Sequence, residues 1–334
     1  MNKDIYEINV NDFEVGKPKT EYVIFPSFYG MQRVRAPLYV YRATKEISPC
    51  VVVTACIHGD EINGMRIAQA LMTEKFKLSQ GTLIILPMVN IYGFFNKLRY
   101  LPDRKDLNRC FPGNMKGSFG SRFAHFIFQN ITKYGDVFID LHSGGPGRFN
   151  IPQIRCDLEL SEVNSIIEDI SIPLVANSTL RDGSLREAIN DLKKPCIVFE
   201  GGEGLRVDPV ITKYGVNLVK SILAHYDMIS EAAEFNEDKF IIHKTKWIRA
   251  KQGGIFLSKS QYGKVVRKGE VLGEIRHMTG ELATTIKMEK DGVILGMCST
   301  ALIMSGDALF NVGILGDTSI DDEEEFFDYF DFEM

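Results

Sequence analysis

The feature that most constrains this chain is a series of short apolar runs, each stopped by polar residues and alternating with segments of helical spacing. Residues 51–57 run into His58-Gly59-Asp60-Glu61, 64–74 then carry helical periodicity, and 82–89 are apolar again. Further runs at 137–141 and 196–199 are bounded by turns, and helices are predicted over 121–133 and 209–229. Runs this short, with turn residues at both ends, read as buried strands. Strands alternating with helices predict an α/β fold: a mixed, largely parallel central sheet flanked by helices, with sites at the carboxyl ends of its strands. Residues 20–46 alternate apolar and polar positions and read as antiparallel edge strands.

Beyond about 240 the pattern changes to short β segments with closely spaced glycines, among them Gly253, Gly263, Gly273, Gly292 and Gly306. No useful helical stripe occurs there. The expected organisation is therefore an N-terminal β segment (1–48) packed on a catalytic domain (49–238), a smaller C-terminal all-β sandwich (239–316), and a tail (317–334). Pieces of the C-terminal region are similar to strand-turn-strand units of lipoyl- and biotinyl-type sandwiches, but Ile286-Lys287-Met288 lacks the context of a modification site. A length of 334 residues suits one large domain plus a smaller one.

Charge and cysteine content narrow the function class. The net charge of −5 is concentrated in the tail, where nine acidic residues and no Lys or Arg lie between Asp317 and Glu333; the remainder carries +4. No dense basic stripe accompanies that excess, so a nucleic-acid partner is not expected. The absence of a long apolar span and of an apolar leader makes membrane residence unexpected and the cytoplasm the expected location. The six scattered cysteines read as reduced and mostly buried, Cys56 included, although it stands two residues before His58.

Chemistry gathers at the ends of the runs. His58 and Glu61, three apart after one strand, can turn toward a common point, and 137–141 delivers His142 at the end of another. Two imidazoles and a carboxylate are the count and type that a catalytic zinc takes, with a fourth position left for water. Asp106 is a candidate to receive the remaining N–H of a ligating imidazole. Asn108 and Arg109 offer amide and guanidinium donors suited to a substrate carboxylate; a surface ion pair and a capped turn are the alternative. Glu200, at the end of 196–199 and before Gly201-Gly202, is the candidate base beside a metal-activated water, or else a carboxylate held by the glycine turn.

Taken in order, the H-G-D-E block at 58–61, Arg99 followed by D-L-N-R-x-F-P-G at 106–113, D-L-H-S at 140–143 and the strand-end Glu200 resemble the succinylglutamate desuccinylase/aspartoacylase family. The resemblance spans about 50–205 and implies a zinc-carboxypeptidase-like fold. It implies one Zn²⁺ on His58, Glu61 and His142, Glu200 as general base and acid, and Arg99 polarising the scissile carbonyl. Asn108 and Arg109 would then bind the carboxylate of the amino-acid part, and Arg186, or in its place Arg181, would make a further substrate contact. The expected activity is deacylation of a small N-acyl amino acid, with a zinc carboxypeptidase and a non-catalytic zinc-binding protein as alternatives. A homo-oligomer is left open.

Overall fold

The structure is a computed structural model that describes residues 4–5, 7–27, 34–74, 76–172, 174–230 and 240–315. Its centre is four parallel strands, Thr82–Leu86, Cys50–Ala55, Val137–His142 and Cys196–Glu203, neighbours in that order. All residues of the first three are buried, which is why they read as continuous apolar runs instead of alternating ones. Side chains nevertheless leave a strand on alternate faces. Val51, Val53 and Ala55 join one core with Ile67 and Leu71 of helix Ile62–Thr73 and Leu218 and Ile222 of helix Pro209–His225. Cys50 and Val52 join the opposite core with Phe123 and Ile127 of helix Phe119–Thr132 and Ile189 of helix Leu185–Asp191. The helix starts are encoded locally: Asp208 accepts from the Val210 and Ile211 N–H groups ahead of a Pro at the first turn, and Ser118 accepts from Ser121.

The sheet extends in both directions mostly by antiparallel pairing, whereas the outermost Asp4–Ile5 runs parallel to its neighbour. On one side Val34–Arg42 pairs with Thr82–Leu86, and Lys19–Phe25 and then Asp4–Ile5 follow outward. Val34–Arg42 is thus an interior strand and not the edge strand expected from its alternation; its second half is buried under the helices as well as hydrogen-bonded on both sides. On the other side Arg148–Cys156 pairs with Cys196–Glu203 and, at its far edge, with Gly292–Cys298; Ala308–Ile314 and Thr245–Arg249 complete the row. A second antiparallel sheet of Leu282–Lys287, Val271–Arg276, Gly254–Ser258 and Leu302–Ile303 lies against this end, enclosing Phe256, Leu272, Ile275, Ile294, Phe310 and Val312. One layer of the C-terminal sandwich is therefore continuous with the central sheet. No helix among the described residues is long and apolar enough to cross a membrane. The acidic tail at 317–334 lies outside the described residues.

Candidate metal and substrate site

Where Cys50–Ala55 ends, Cys56 takes a left-handed conformation (φ 52°) and turns the chain so that His58 faces the sheet's carboxyl edge. Its thiol is buried and points at the Glu61 carbonyl, away from the imidazoles. Gly59 is required here: a Cβ would lie about 2 Å from the Gly93 and Phe94 backbone. Glu61 occupies the position before helix Ile62–Thr73 but makes no side-chain cap. Its carboxylate turns inward instead, with Oε1 2.6 Å from His58 Nδ1 and Oε2 2.8 Å from His142 Nδ1. The Ser143 N–H also donates to Oε2, at 3.2 Å. The outer ring nitrogens are held by carboxylates: His58 Nε2 is 3.1 Å from Asp106 Oδ1, and His142 Nε2 is 2.7 Å from Asp140 Oδ2. The Thr54 hydroxyl donates to the other Asp140 oxygen at 2.8 Å.

All three central side chains are buried, and burial alone would neutralise each of them. For His58 the burial penalty is outweighed by Glu61 and Asp106, which hold the imidazole above its ordinary pKa. For His142 the same penalty is outweighed by Asp140 and Glu61, which hold it well above. Burial also opposes ionisation of Glu61 and Asp106, yet the facing imidazoles, and Arg99 in the case of Asp106, keep both carboxyls well below the usual range. These directions favour imidazolium protons on the Nδ1 atoms that face the Glu61 carboxylate.

The donor chemistry fits a divalent cation replacing those protons. One ligand atom from each of His58, Glu61 and His142 lies within 4.8 Å of the others, the one such group among the described residues. Carboxylates on both Nε2 atoms leave each Nδ1 as the nitrogen turned to the common centre, as outer carboxylates commonly orient metal-ligating histidines. Two nitrogens and a carboxylate suit zinc and several other divalent ions.

Arg99, Asn108, Arg109, Arg186 and Glu200 line one cavity of about 640 Å³ with this cluster, while Asp106 is bonded to His58 and Arg99. Arg99 donates through Nε and Nη2 to Asp106 and through Nη1 to Glu61 at 3.3 Å. Burial works against its charge, but Asp106 and Glu61 together raise its pKa. Asn108 accepts from the Leu185 N–H through Oδ1 at 2.9 Å, which turns the oxygen away and leaves the NH₂ end. Arg109 is exposed at the rim. Arg186 is only 8% exposed; Nη2 donates to the Thr179 carbonyl, while Nη1 has no hydrogen-bond partner. Burial pushes its pKa down. Arg181, the competing position, lines the same cavity. Glu200 stands opposite His142 in the strand register, with Oε2 accepting from Asn150 Nδ2 at 3.0 Å and Oε1 3.4 Å from Arg155 Nη1.

Asp140, Asn150 and Arg155 were not found by sequence reasoning. Asp140 carried a usable signal, since residues two apart on a strand share a face and His142 is two residues on. Further cavity residues missed include Arg148 and, from the C-terminal β region, His243, Lys244, Thr245, Trp247 and Asn311.

Residues 48–226, more than half of the chain, match the succinylglutamate desuccinylase/aspartoacylase catalytic domain, and the chain belongs to that family. It is a hydrolase of non-peptide amide bonds. It is 26% identical over 283 residues to the N-alpha-acetyl-L-2,4-diaminobutyric acid deacetylase of Halomonas elongata, covering 78% of this chain and 81% of the relative. Among solved structures it is similar to the product-bound ectoine utilization protein EutE (DoeB) of Ruegeria pomeroyi, with TM-score 0.80 and 21% identity over 91% of this chain and 97% of that one. The succinylglutamate desuccinylase/aspartoacylase of Rhodobacter sphaeroides gives TM-score 0.78 and 23% identity, again over 91% and 97%.

Proposed function

We propose that this chain is a zinc-dependent deacylase that cleaves the amide bond of a small N-acyl amino acid. The observation that carries the reading is the convergence of His58 Nδ1, the Glu61 carboxylate and His142 Nδ1, with Glu200 beside His142 on the next strand. Zinc held by His58, Glu61 and His142 would supply Lewis acidity toward a carbonyl and toward water. Glu200 accepts the proton of the attacking water and delivers it to the leaving amine. Arg99, fixed by Asp106, donates to the oxygen on which negative charge develops. Asp106 thereby orients both Arg99 and His58.

The cavity's cations argue for an anionic substrate. Arg99, Arg109, Arg148, Arg155, Arg181 and Arg186 all line it, against the carboxylates of Glu61, Asp140 and Glu200. A buried guanidinium with an unsatisfied nitrogen costs several kcal/mol, so Arg186 is suited to a carboxylate that arrives with the substrate, alongside the Asn108 NH₂ and Arg109. The acetylated amino acid in the name of the Halomonas elongata relative is of this class. A carboxypeptidase reading requires an open groove; here His243, Thr245, Trp247 and Asn311 wall the cavity, which supports small substrates over peptides.

The test is a panel of N-acetyl, N-succinyl and N-formyl amino acids against the zinc-loaded chain, beside peptides sharing the same C-terminal residue. Glu200→Gln should keep zinc and fold while turnover falls about 10²–10⁴-fold. Near wild-type turnover by that variant would remove Glu200 as the base, and efficient cleavage of the longer peptides would transfer the reading to a carboxypeptidase.

A further inference from the structure

Glu200 belongs to a strand of the parallel core, yet the groups that hold it come from the strand on which the C-terminal region is paired. Arg148–Cys156 lies between Cys196–Glu203 and Gly292–Cys298, and Asn150 is opposite Gly202 on one side and Gly296 on the other. Asn150 is 6% exposed. An ionised carboxylate only accepts hydrogen bonds, so the Asn150 NH₂ must face Glu200 and its oxygen must face away. The oxygen points at Gly296: a Cβ there would stand 2.3 Å from Asn150 Oδ1 and 2.9 Å from the Phe149 carbonyl. Residue 296 is thus a floor under the amide, and any side chain at this position pushes Asn150 off its carboxylate.

Two irregularities in the sheet produce this contact. Between Asn150 and Gln153 the pairing with Cys196–Glu203 slips, three steps on one strand matching two on the other. Asn150 and Arg155 are five apart and would point to opposite faces of a regular strand; the extra residue restores parity, and both reach Glu200. Pro152 sits within the slip, where a missing N–H is tolerated. A second slip between Ile294 and Gly296, against Ala308–Ile314, brings Gly296 opposite Asn311 as well. Gln153 donates across the same seam to the Leu295 carbonyl at 3.3 Å. Bulges beside active sites re-aim side chains in this way.

We propose that the C-terminal β region sets the position of the Glu200 carboxylate through Gly296 and Asn150, which are positioning residues for the proton transfer. Arg155 steadies the other carboxylate oxygen. The proposal rests on the reading of Glu200 as the base. It means that the C-terminal strands govern turnover as well as access, although Glu200 itself lies on a core strand.

The experiment is a pair of double-mutant cycles on the zinc-loaded full chain, with zinc content and thermal midpoint recorded for every variant. Asn150→Ala should lower kcat roughly 10- to 100-fold, the range for removing an outer partner of an active-site group, with KM within a few-fold and zinc retained. In a Glu200→Gln background the same substitution should have almost no effect, because the group it positions no longer takes a proton. Gly296→Ala should lower kcat similarly, and its effect should shrink in an Asn150→Ala background, where the displaced amide is gone. An unchanged kcat for Asn150→Ala, or full additivity in either cycle, overturns the proposal while leaving the base assignment intact. Full activity in Glu200→Gln alone removes the base assignment itself. Should Gly296→Ala not fold, the double variant Gly296→Ala/Asn150→Ala decides that arm: folding regained there supports the contact, and folding still lost counts against it.

Discussion

The parallel core and the C-terminal β region meet at one cavity but contribute to it differently. The core supplies all three groups of the candidate metal site, each at the end or just past the end of a buried strand whose neighbours fix it on both sides. The C-terminal region supplies walls, and among its described residues no cluster of His, Cys, Asp and Glu suited to a metal. Rigid strand ends hold charges to a few tenths of an ångström, which the chemistry requires. Walls need only shape. Substitutions should accordingly act on metal and turnover in the core, and on substrate range along the wall, with Gly296 as the point where the second region reaches the first.

Removing one of the three groups of the candidate metal site should do the most damage. His142→Ala deletes a buried nitrogen that faces Glu61 and leaves Asp140 without its imidazole. Zinc measured by elemental analysis should fall to a small fraction of wild type. Activity should fall about 10³-fold or more, the several kcal/mol that a metal contributes to the transition state. Full zinc occupancy in a His58→Ala/His142→Ala chain would end the assignment of the core as the metal site.

A smaller effect is expected one step out from the ligands. Asp140→Asn keeps the shape of the buried group but loses the charge that orients His142 Nε2, and should weaken zinc binding roughly 10- to 100-fold, read by competition with a chelator. Proton competition gives a companion test. His58 and His142 titrate above their ordinary value in the metal-free site, so their contribution to folding is full below about pH 6.5 and is lost as pH rises through the folded-state values. Glu61 and Asp106 are held low, so theirs is present above about pH 4 and is lost only as acid reaches the folded-state values. The metal-free chain should therefore draw most stability from this cluster between about pH 4 and 6.5. Zinc affinity should run the other way on the alkaline side, rising with pH as the Nδ1 protons leave. Thermal midpoints with and without zinc across that window check both signs, and parallel curves would count against the cluster as the site.

The layered core, the strand-end histidines and the carboxylate at Glu200 were legible because each depends on a short run of neighbours: an apolar stretch, a turn, a polar terminus. Asp140 was equally legible by strand parity. Asn150 and Arg155 were not, because their approach to Glu200 depends on a slipped register that parity arguments place on opposite faces. Val34–Arg42 misled for a related reason: alternation suggests one wet face, but the helices cover it. Nothing local in Thr245, Trp247 or Asn311 announces a cavity, since they reach it only through long-range pairing of Thr245–Arg249 with Ala308–Ile314 and of Gly292–Cys298 with Arg148–Cys156.

The smallest expected effect lies on that wall, and it decides whether the C-terminal region sets substrate range. Along Thr245–Arg249, Thr245 and Trp247 line the cavity, whereas Ile248 packs against the sandwich core. Trp247 stands opposite Asn311, whose Oδ1 is buried without a hydrogen-bond partner. Trp247→Ala therefore removes an aromatic surface from the cavity while leaving the inward face of its strand intact. For a short N-acyl amino acid, KM should rise roughly two- to tenfold, the equivalent of about 0.5–1.5 kcal/mol for one aromatic contact. The kcat should stay within about twofold, because an interaction made equally in ground and transition states affects binding alone. For a substrate with a longer acyl chain or an added residue the sign should reverse, with kcat/KM rising as the opening widens. A fall for both substrates with kcat reduced would place Trp247 among the groups that serve the chemistry, and the division between a reactive core and a selective wall would have to be redrawn around it.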